Sequence, residues 1–305
     1  MPKFLIILLG PTGVGKTDLS IELAKYYNTD IISCDSRQIY KEMRIGTAVP
    51  EQRILESVPH HFIRSHSIHE YYNASKFEME VLARLELLYN KKDIILMTGG
   101  SMLYIDALCK GIDDLPEVDA ELRTSLMNRL ESEGIESLRN ELRFYDPDYY
   151  NKVDLRNPKR ILHALEICLM TGLPYSSFRT NQPKKRPFII IKLGINLDRE
   201  VLYNRINQRV DKMFAEGLEQ EARNLHPFRH LNSLNTVGFR ELFEYFDGTI
   251  SPEEAKEKIK ANSRKYARKQ LTWFRRDPEI TWFTPDMKEE IIAFTNRQLQ
   301  GQNPE

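Results

Sequence analysis

Six consecutive apolar residues, Phe4 to Leu9, run without interruption into Gly10-Pro11-Thr12-Gly13-Val14-Gly15-Lys16-Thr17, and this junction constrains the fold more than any other stretch of the chain. An unbroken apolar run ended by glycine reads as a parallel strand buried on both faces. The residues after it match G-x-x-x-x-G-K-[ST], a turn whose glycines let successive backbone N–H groups face a phosphate chain where a helix begins. Lys16 adds a compact positive charge, and the Thr17 hydroxyl suits Mg²⁺. Thr17 to Tyr27 reads as the helix. Such a turn specifies a di- or triphosphate group but not the molecule that carries it.

The short buried-strand pattern returns at Asp30-Ile31-Ile32-Ser33-Cys34 and again over 93–98, the latter between a helical stretch, 74–89, and Gly99-Gly100. Strands alternating with helices predict βαβ units and a parallel sheet. After Gly111 the sequence turns charged and helix-forming, with helices predicted over 121–134 and 158–171, until Phe188-Ile189-Ile190-Ile191 restarts a strand. The expected fold class is α/β: a P-loop core resembling nucleoside kinases, with a parallel sheet built from 1–115 and 181–305 and an all-helical insertion domain over 116–180. Pro183-Lys184-Lys185-Arg186-Pro187 reads as the stiff connector back. Further helices are predicted over 199–216 and 252–274. The second opens with Ser251, Pro252 and Glu254 in a capping-box arrangement. A last strand is expected over 280–283.

With 305 residues, 41% of them hydrophobic, the chain can bury a sizeable core, which excludes wholesale disorder. Phe4–Leu9 is too short for a signal-peptide core or a membrane span. Cys34, Cys109 and Cys168 share no metal-ligand spacing, so a cytoplasmic protein without disulfides, zinc finger or membrane association is expected. His60, His61, His66 and His69 fall in an irregular stretch that lacks metal-binding spacing. Ile94–Met97 gives way to Thr98-Gly99-Gly100-Ser101 rather than to the carboxylate of a P-loop ATPase, which argues against hydrolysis-driven work. Asn90-Lys91-Lys92-Asp93 looks like a guanine-reading motif, but it precedes a strand instead of following one and reads as a helix C-terminal turn. The acidic residue near the phosphates is Asp35, one residue past the second strand, at the edge where α/β sheets bind ligands. It is either a functional carboxylate or a turn residue.

Taken in order, the Gly10–Thr17 turn, Ser33…Asp35-Ser36…Gln38…Tyr40, Gly46-Thr47-Ala48, Gly99-Gly100-Ser101-Met102-Leu103-Tyr104, Asn157-Pro158-Lys159-Arg160, Val237-Gly238-Phe239-Arg240 and the 268–275 stretch resemble tRNA dimethylallyltransferases over nearly the whole chain. That family transfers a dimethylallyl group from its diphosphate to N6 of adenosine 37, beside the anticodon. The resemblance implies that Gly10 to Thr17 cradle the diphosphate, that Thr17 holds Mg²⁺, that Asp35 is the base for the adenine amine, and that Arg209 joins Lys16 as a second phosphate clamp. It further implies contact with the tRNA anticodon stem-loop through Asp35, Ser36, Arg37, Gln38, Ser101, Arg123, Lys159, Arg160, His163, Val237, Gly238, Phe239, Arg240, Arg264 and Arg268, by an enzyme working as a monomer. Ser101 stands where threonine is common and Phe239 where tyrosine is, and the sequence has no zinc finger of the eukaryotic type. The chemistry accords: breaking a carbon–oxygen bond to release pyrophosphate needs cations and N–H groups where negative charge develops, but no activated water. Three alternatives use the same features differently: a small-molecule kinase using ATP, a prenyltransferase acting on free AMP or ATP, and a noncatalytic RNA-binding protein.

Lys+Arg and Asp+Glu balance at 44 each, so any nucleic-acid surface must come from where the charges lie. Residues 251–277 hold nine basic and four acidic side chains, leaving the rest of the chain at −5. Lys256, Lys260, Arg264 and Arg268 recur at i+4, and like charges at that spacing repel unless an outside anion is present. A phosphate backbone would be such an anion. Ile259, Tyr266 and Trp273 recur every seven residues, so these aromatics, with Phe274, read as core rather than as stacking platforms. In the insertion, Ile161, Leu165 and Cys168 form the buried side of a helix whose other side carries Arg156, Lys159, Arg160 and His163.

Overall fold

Phe4–Leu9 is strand β1, and its six side chains are all buried because they divide between two cores: Leu5, Ile7 and Leu9 enter one, Phe4, Ile6 and Leu8 the other. Each such side chain contributes roughly 1.5–3 kcal/mol when fully removed from water, which makes β1 the axis of the fold. The structure is a computed structural model and describes residues 2–113, 115–116, 119–180 and 182–301.

Five further strands complete one sheet: β2 (Ile31–Ser33), β3 (His60–His61), β4 (Ile94–Gly99), β5 (Ile189–Ile195) and β6 (Thr281–Phe283). Their order is β3-β2-β4-β1-β5-β6, and every pairing is parallel. The chain leaves β1 toward β2 on one side and later adds β5 and β6 on the other. The crevice at the carboxyl end of β1 is therefore where such a sheet binds ligands. Leu9 pairs with Gly99 of β4 and Gly194 of β5, so three strands finish level beneath that crevice. Gly10, next along, has φ 155°, and a Cβ there would lie 2.3 Å from the Ile195 carbonyl oxygen.

Two stretches differ from expectation. The strand expected over 188–191 continues to Ile195 through a charged residue, because the Lys192 ammonium lies 2.7 Å from Asp277 and 2.6 Å from Glu279. Burial works against its charge, yet those two hydrogen bonds outweigh it and raise its pKa. The histidine stretch supplies the two-residue edge strand β3. There His61 Nε2 lies 2.9 Å from Asp30, a carboxylate that Lys92 also binds at 2.6 Å.

Lys110–Lys184 forms a compact unit of its own, and the rest of the chain forms a second. In the smaller unit, helices Ala120–Glu133, Ile135–Tyr145 and Pro158–Thr171 close on Leu126, Leu138, Leu142, Ile161 and Leu165. Asn157 caps the last of these by accepting the Arg160 N–H, with Pro158 in the first turn. No helix among the described residues is long and apolar enough to cross a membrane.

Candidate active site

The helix Lys16–Tyr26 starts directly at the glycine-rich turn, so the turn's N–H groups and the helix N-terminus share the crevice above β1. Lys16 Nζ donates to the carbonyls of Gly10 (3.0 Å) and Pro11 (2.8 Å), which holds its charge over the turn. Its pKa is lowered to about 8, first by burial and then by the nearby charge of Arg209, with Asp35 acting the other way. Arg209 comes from the helix Arg199–Ala215 and donates through Nη1 to Thr12 Oγ1 at 3.1 Å. Burial lowers its pKa as well, from an ordinary value so high that the guanidinium stays charged.

Asp35 stands just past β2. Its Oδ1 accepts the N–H groups of Arg37 (2.8 Å) and Gln38 (3.2 Å), the bonding of an Asx turn. Its Oδ2 accepts no hydrogen bond among the described residues. The turn reading of Asp35 thus holds for one oxygen, and the other is left without a protein partner among the described residues. The turn is fixed from the β4 side too, since Ser101 Oγ accepts the Ser36 N–H at 2.8 Å and donates to Ser36 Oγ at 3.0 Å.

Two open clefts, each of about 300 Å³, meet at these residues. The first is lined by the turn, including Gly13, Gly15, Lys16 and Thr17, and by Ser33, Gly99 and Gly100. The second is lined by Ser36, Arg37, Gly46, Thr47, Asn235, Thr236, Val237, Gly238, Arg240 and Ser263, with Ile206, Val210, Met213 and Ile259 as its apolar side. Thr12, Asp35, Arg209 and Tyr266 line both. The Tyr266 hydroxyl is pushed up to about 12 by burial and then by the negative charge of Asp35, so it stays protonated at neutral pH. Sequence periodicity placed Tyr266 in the core. Of that group, Phe274 is buried and Trp273 is tied by Nε1 to Asp106 at 2.8 Å, whereas Tyr266 faces the clefts.

Several residues expected at the RNA surface have their side chains occupied within the protein. Arg37 binds the carbonyls of Asn232, Ser233 and Asn235, and Gln38 Nε2 binds those of Thr47 and Ala48. Phe239 is fully buried, its ring so close to Gly46 that a Cβ there would lie 2.5 Å away. Gly238, also buried, gives its N–H to Glu241, while Val237 and Arg240 line the second cleft and Arg240 remains exposed. The basic stripe needs no outside anion to relieve it. Asp211 on the neighbouring helix binds both Lys256 (2.7 Å) and Lys260 (3.1 Å), and Asn207 binds Arg264 (2.6 Å). Helix spacing alone could not reveal a facing carboxylate. Arg268 is exposed.

In the smaller unit, Arg123 binds the buried carboxylate of Glu166 through two nitrogens, at 2.6 and 2.8 Å, and His163 Nδ1 lies 3.4 Å from the same carboxylate. Lys159 and Arg160 are exposed on the same helix as Glu166.

Among the described residues no group of three or more His, Cys, Asp or Glu could hold a metal ion. Thr17, exposed at the cradle, offers a hydroxyl oxygen, whereas that of Thr12 is engaged by Arg209. A hard oxygen of that kind fits Mg²⁺, which keeps most of its waters and takes its other ligands from phosphates.

A glycine-rich turn at the head of a parallel sheet, with Asp35 on the wall shared by two clefts, is the arrangement of a P-loop group-transferring enzyme. The profile of the IPP transferase family matches residues 38–277, and the chain belongs to that family. It is 56% identical over 294 residues to tRNA dimethylallyltransferase 1 of Phocaeicola vulgatus, covering 96% of this chain and 98% of that one. The crystal structure of the full-length tRNA isopentenylpyrophosphate transferase of Bacillus halodurans is 33% identical with TM-score 0.71, covering 99% and 98%. A eukaryotic dimethylallyltransferase acting on tRNA is 27% identical with TM-score 0.85, covering 99% of this chain and 80% of its own.

Proposed function

We propose that this enzyme is a tRNA dimethylallyltransferase that moves the prenyl group of dimethylallyl diphosphate to N6 of adenosine 37, releasing pyrophosphate. The observation that carries the mechanism is the shared wall of Asp35, Arg209, Thr12 and Tyr266 between the phosphate cleft and the second cleft. The diphosphate lies in the Gly10–Thr17 turn, where Lys16, Arg209 and the helix N-terminus meet the charge that grows as the C1–O bond breaks. The adenine enters the second cleft, taken out of the anticodon-loop stack at a cost of a few kcal/mol. N6 then bonds to C1, and its proton passes to Oδ2 of Asp35. Mg²⁺ held at Thr17 would neutralise part of the charge on the departing diphosphate.

The exposed cations Lys159, Arg160, Arg240 and Arg268 are the tRNA contacts this reading favours. Arg37 lines the cleft that receives the base, while Phe239, Ser101 and Gln38 support Gly46, Ser36 and Thr47 in its wall. Arg123 and His163 act through Glu166, orienting the helix that carries Lys159 and Arg160. A monomer is the state proposed for the enzyme. The tRNA-directed activity named for its relatives supports the cytoplasm as its setting. The test is mass analysis of nucleosides from unmodified tRNA incubated with the protein, Mg²⁺ and dimethylallyl diphosphate. Adenosine bearing one dimethylallyl group is expected; label transfer from ATP to a small molecule instead would assign a kinase.

A further inference from the structure

Gln270 is a polar residue in the buried stripe of the helix Pro252–Phe274, which otherwise presents Ala255, Ile259, Ala267 and Phe274 to the interior. It is 2% exposed, and both ends of its amide are used. Oε1 accepts the Thr12 N–H at 2.9 Å, and Nε2 donates to the Gly100 carbonyl at 2.8 Å. The fit is close, since a Cβ on Gly100 would lie 2.3 Å from Nε2. A buried amide is retained at little cost only when both ends are bonded, so this site requires an acceptor and a donor at the end of a side chain of this length.

Each partner leads to one side of the reaction. Thr12 shares its hydroxyl with Arg209 at the phosphate cleft. Gly100 precedes Ser101, which holds the Ser36 N–H next to Asp35. We infer that Gln270 is a positioning residue that braces the diphosphate turn against the Asp35 turn and so fixes the distance between leaving group and base. The inference rests on the diphosphate reading of the Gly10–Thr17 turn. A brace of this kind acts on the transition-state geometry and leaves each substrate's own contacts in place, and misplacement by about 1 Å can cost up to ~10²-fold in rate.

The test compares Gln270→Met, similar in length and without hydrogen bonds, with Gln270→Glu. Single-turnover transfer from dimethylallyl diphosphate to unmodified tRNA is expected to slow by about 10–100-fold in Gln270→Met, with KM for the diphosphate and tRNA affinity within a few-fold of the parent. In Gln270→Glu the ionised carboxylate faces the Gly100 carbonyl, whereas its protonated form can both accept from Thr12 and donate to Gly100. Burial and that carbonyl raise the glutamate's pKa, so its rate relative to the parent enzyme rises as pH falls from 8 toward 5.5. A Gln270→Met rate within two-fold of the parent, or a Gln270→Glu ratio flat with pH, overturns the brace. Lys16→Ala, run in parallel, separates the two claims: if it still turns over, the diphosphate reading fails, whereas an inactive Lys16→Ala beside a normal Gln270→Met removes the brace alone.

Discussion

At the scale of single residues, Lys16 offers a direct check on the phosphate site. Its ammonium deprotonates near pH 8, lowered by burial and by Arg209, and only the protonated form can clamp a diphosphate. kcat/KM for dimethylallyl diphosphate reports the free enzyme, so it should fall as pH rises through about 8. That limb should vanish in Lys16→Arg, which cannot deprotonate in this range. Lys16→Ala should abolish turnover and leave tRNA affinity nearly intact, measured by filter binding. The place of the Lys16 turn between strand and helix was legible in the sequence because its signal is local: glycines, lysine and threonine lie within eight residues at the end of one strand. Gln270 was not, because its partners lie 258 and 170 residues away and its helix position reads as core. Tyr266 was misplaced for a related reason, since a seven-residue repeat gives a face but not what that face meets.

At the scale of elements, the sheet was legible from its apolar runs, while β3 was not, because two residues leave no periodicity and its pairing depends on β2 across the fold. The helix Pro252–Phe274 was foreseen together with its cap, but the state of its charges was not. Lys256 and Lys260 are engaged by Asp211 on the helix Arg199–Ala215, whereas Arg268 and Lys269 are exposed. Converting Arg268 and Lys269 to glutamine should therefore flatten the salt dependence of tRNA binding by roughly one slope unit for each phosphate no longer neutralised. The same change at Lys256 and Lys260 should barely move it, and equal effects from both pairs would return the first pair to the RNA surface. In the smaller unit, the Glu166 carboxylate is buried, which alone would raise its pKa, yet His163 and Arg123 outweigh that and lower it. Its stabilising contribution is therefore present at neutral pH and lost as pH falls through a value below the usual glutamate range. Arg123→Ala leaves that charge without its main partner and should destabilise the unit by about 3–5 kcal/mol in urea unfolding. A loss of tRNA binding in this variant is expected to track unfolding.

At the scale of the whole molecule, a chain of zero net charge carries +5 over residues 251–277 and −5 over the remainder, and Asp211 and Glu244 of that remainder pair with Lys256, Lys260 and Lys258. The family resemblance supplied the substrate pair, and the fold supplies what the resemblance could not: two clefts that share Asp35. For the proposed transfer from dimethylallyl diphosphate to tRNA, the account reduces to one proton. Asp35→Asn keeps the Oδ1 acceptor that closes the Arg37–Gln38 turn and removes the carboxylate proposed to take the N6 proton. Single-turnover transfer in the preformed ternary complex isolates this step from binding and product release. The account predicts a rate lower by ~10²–10⁴, with tRNA and diphosphate affinities within a few-fold of the parent enzyme. Transfer by Asp35→Asn at near the parent rate would show that Asp35 only holds its turn, and that the proton leaves N6 by another route.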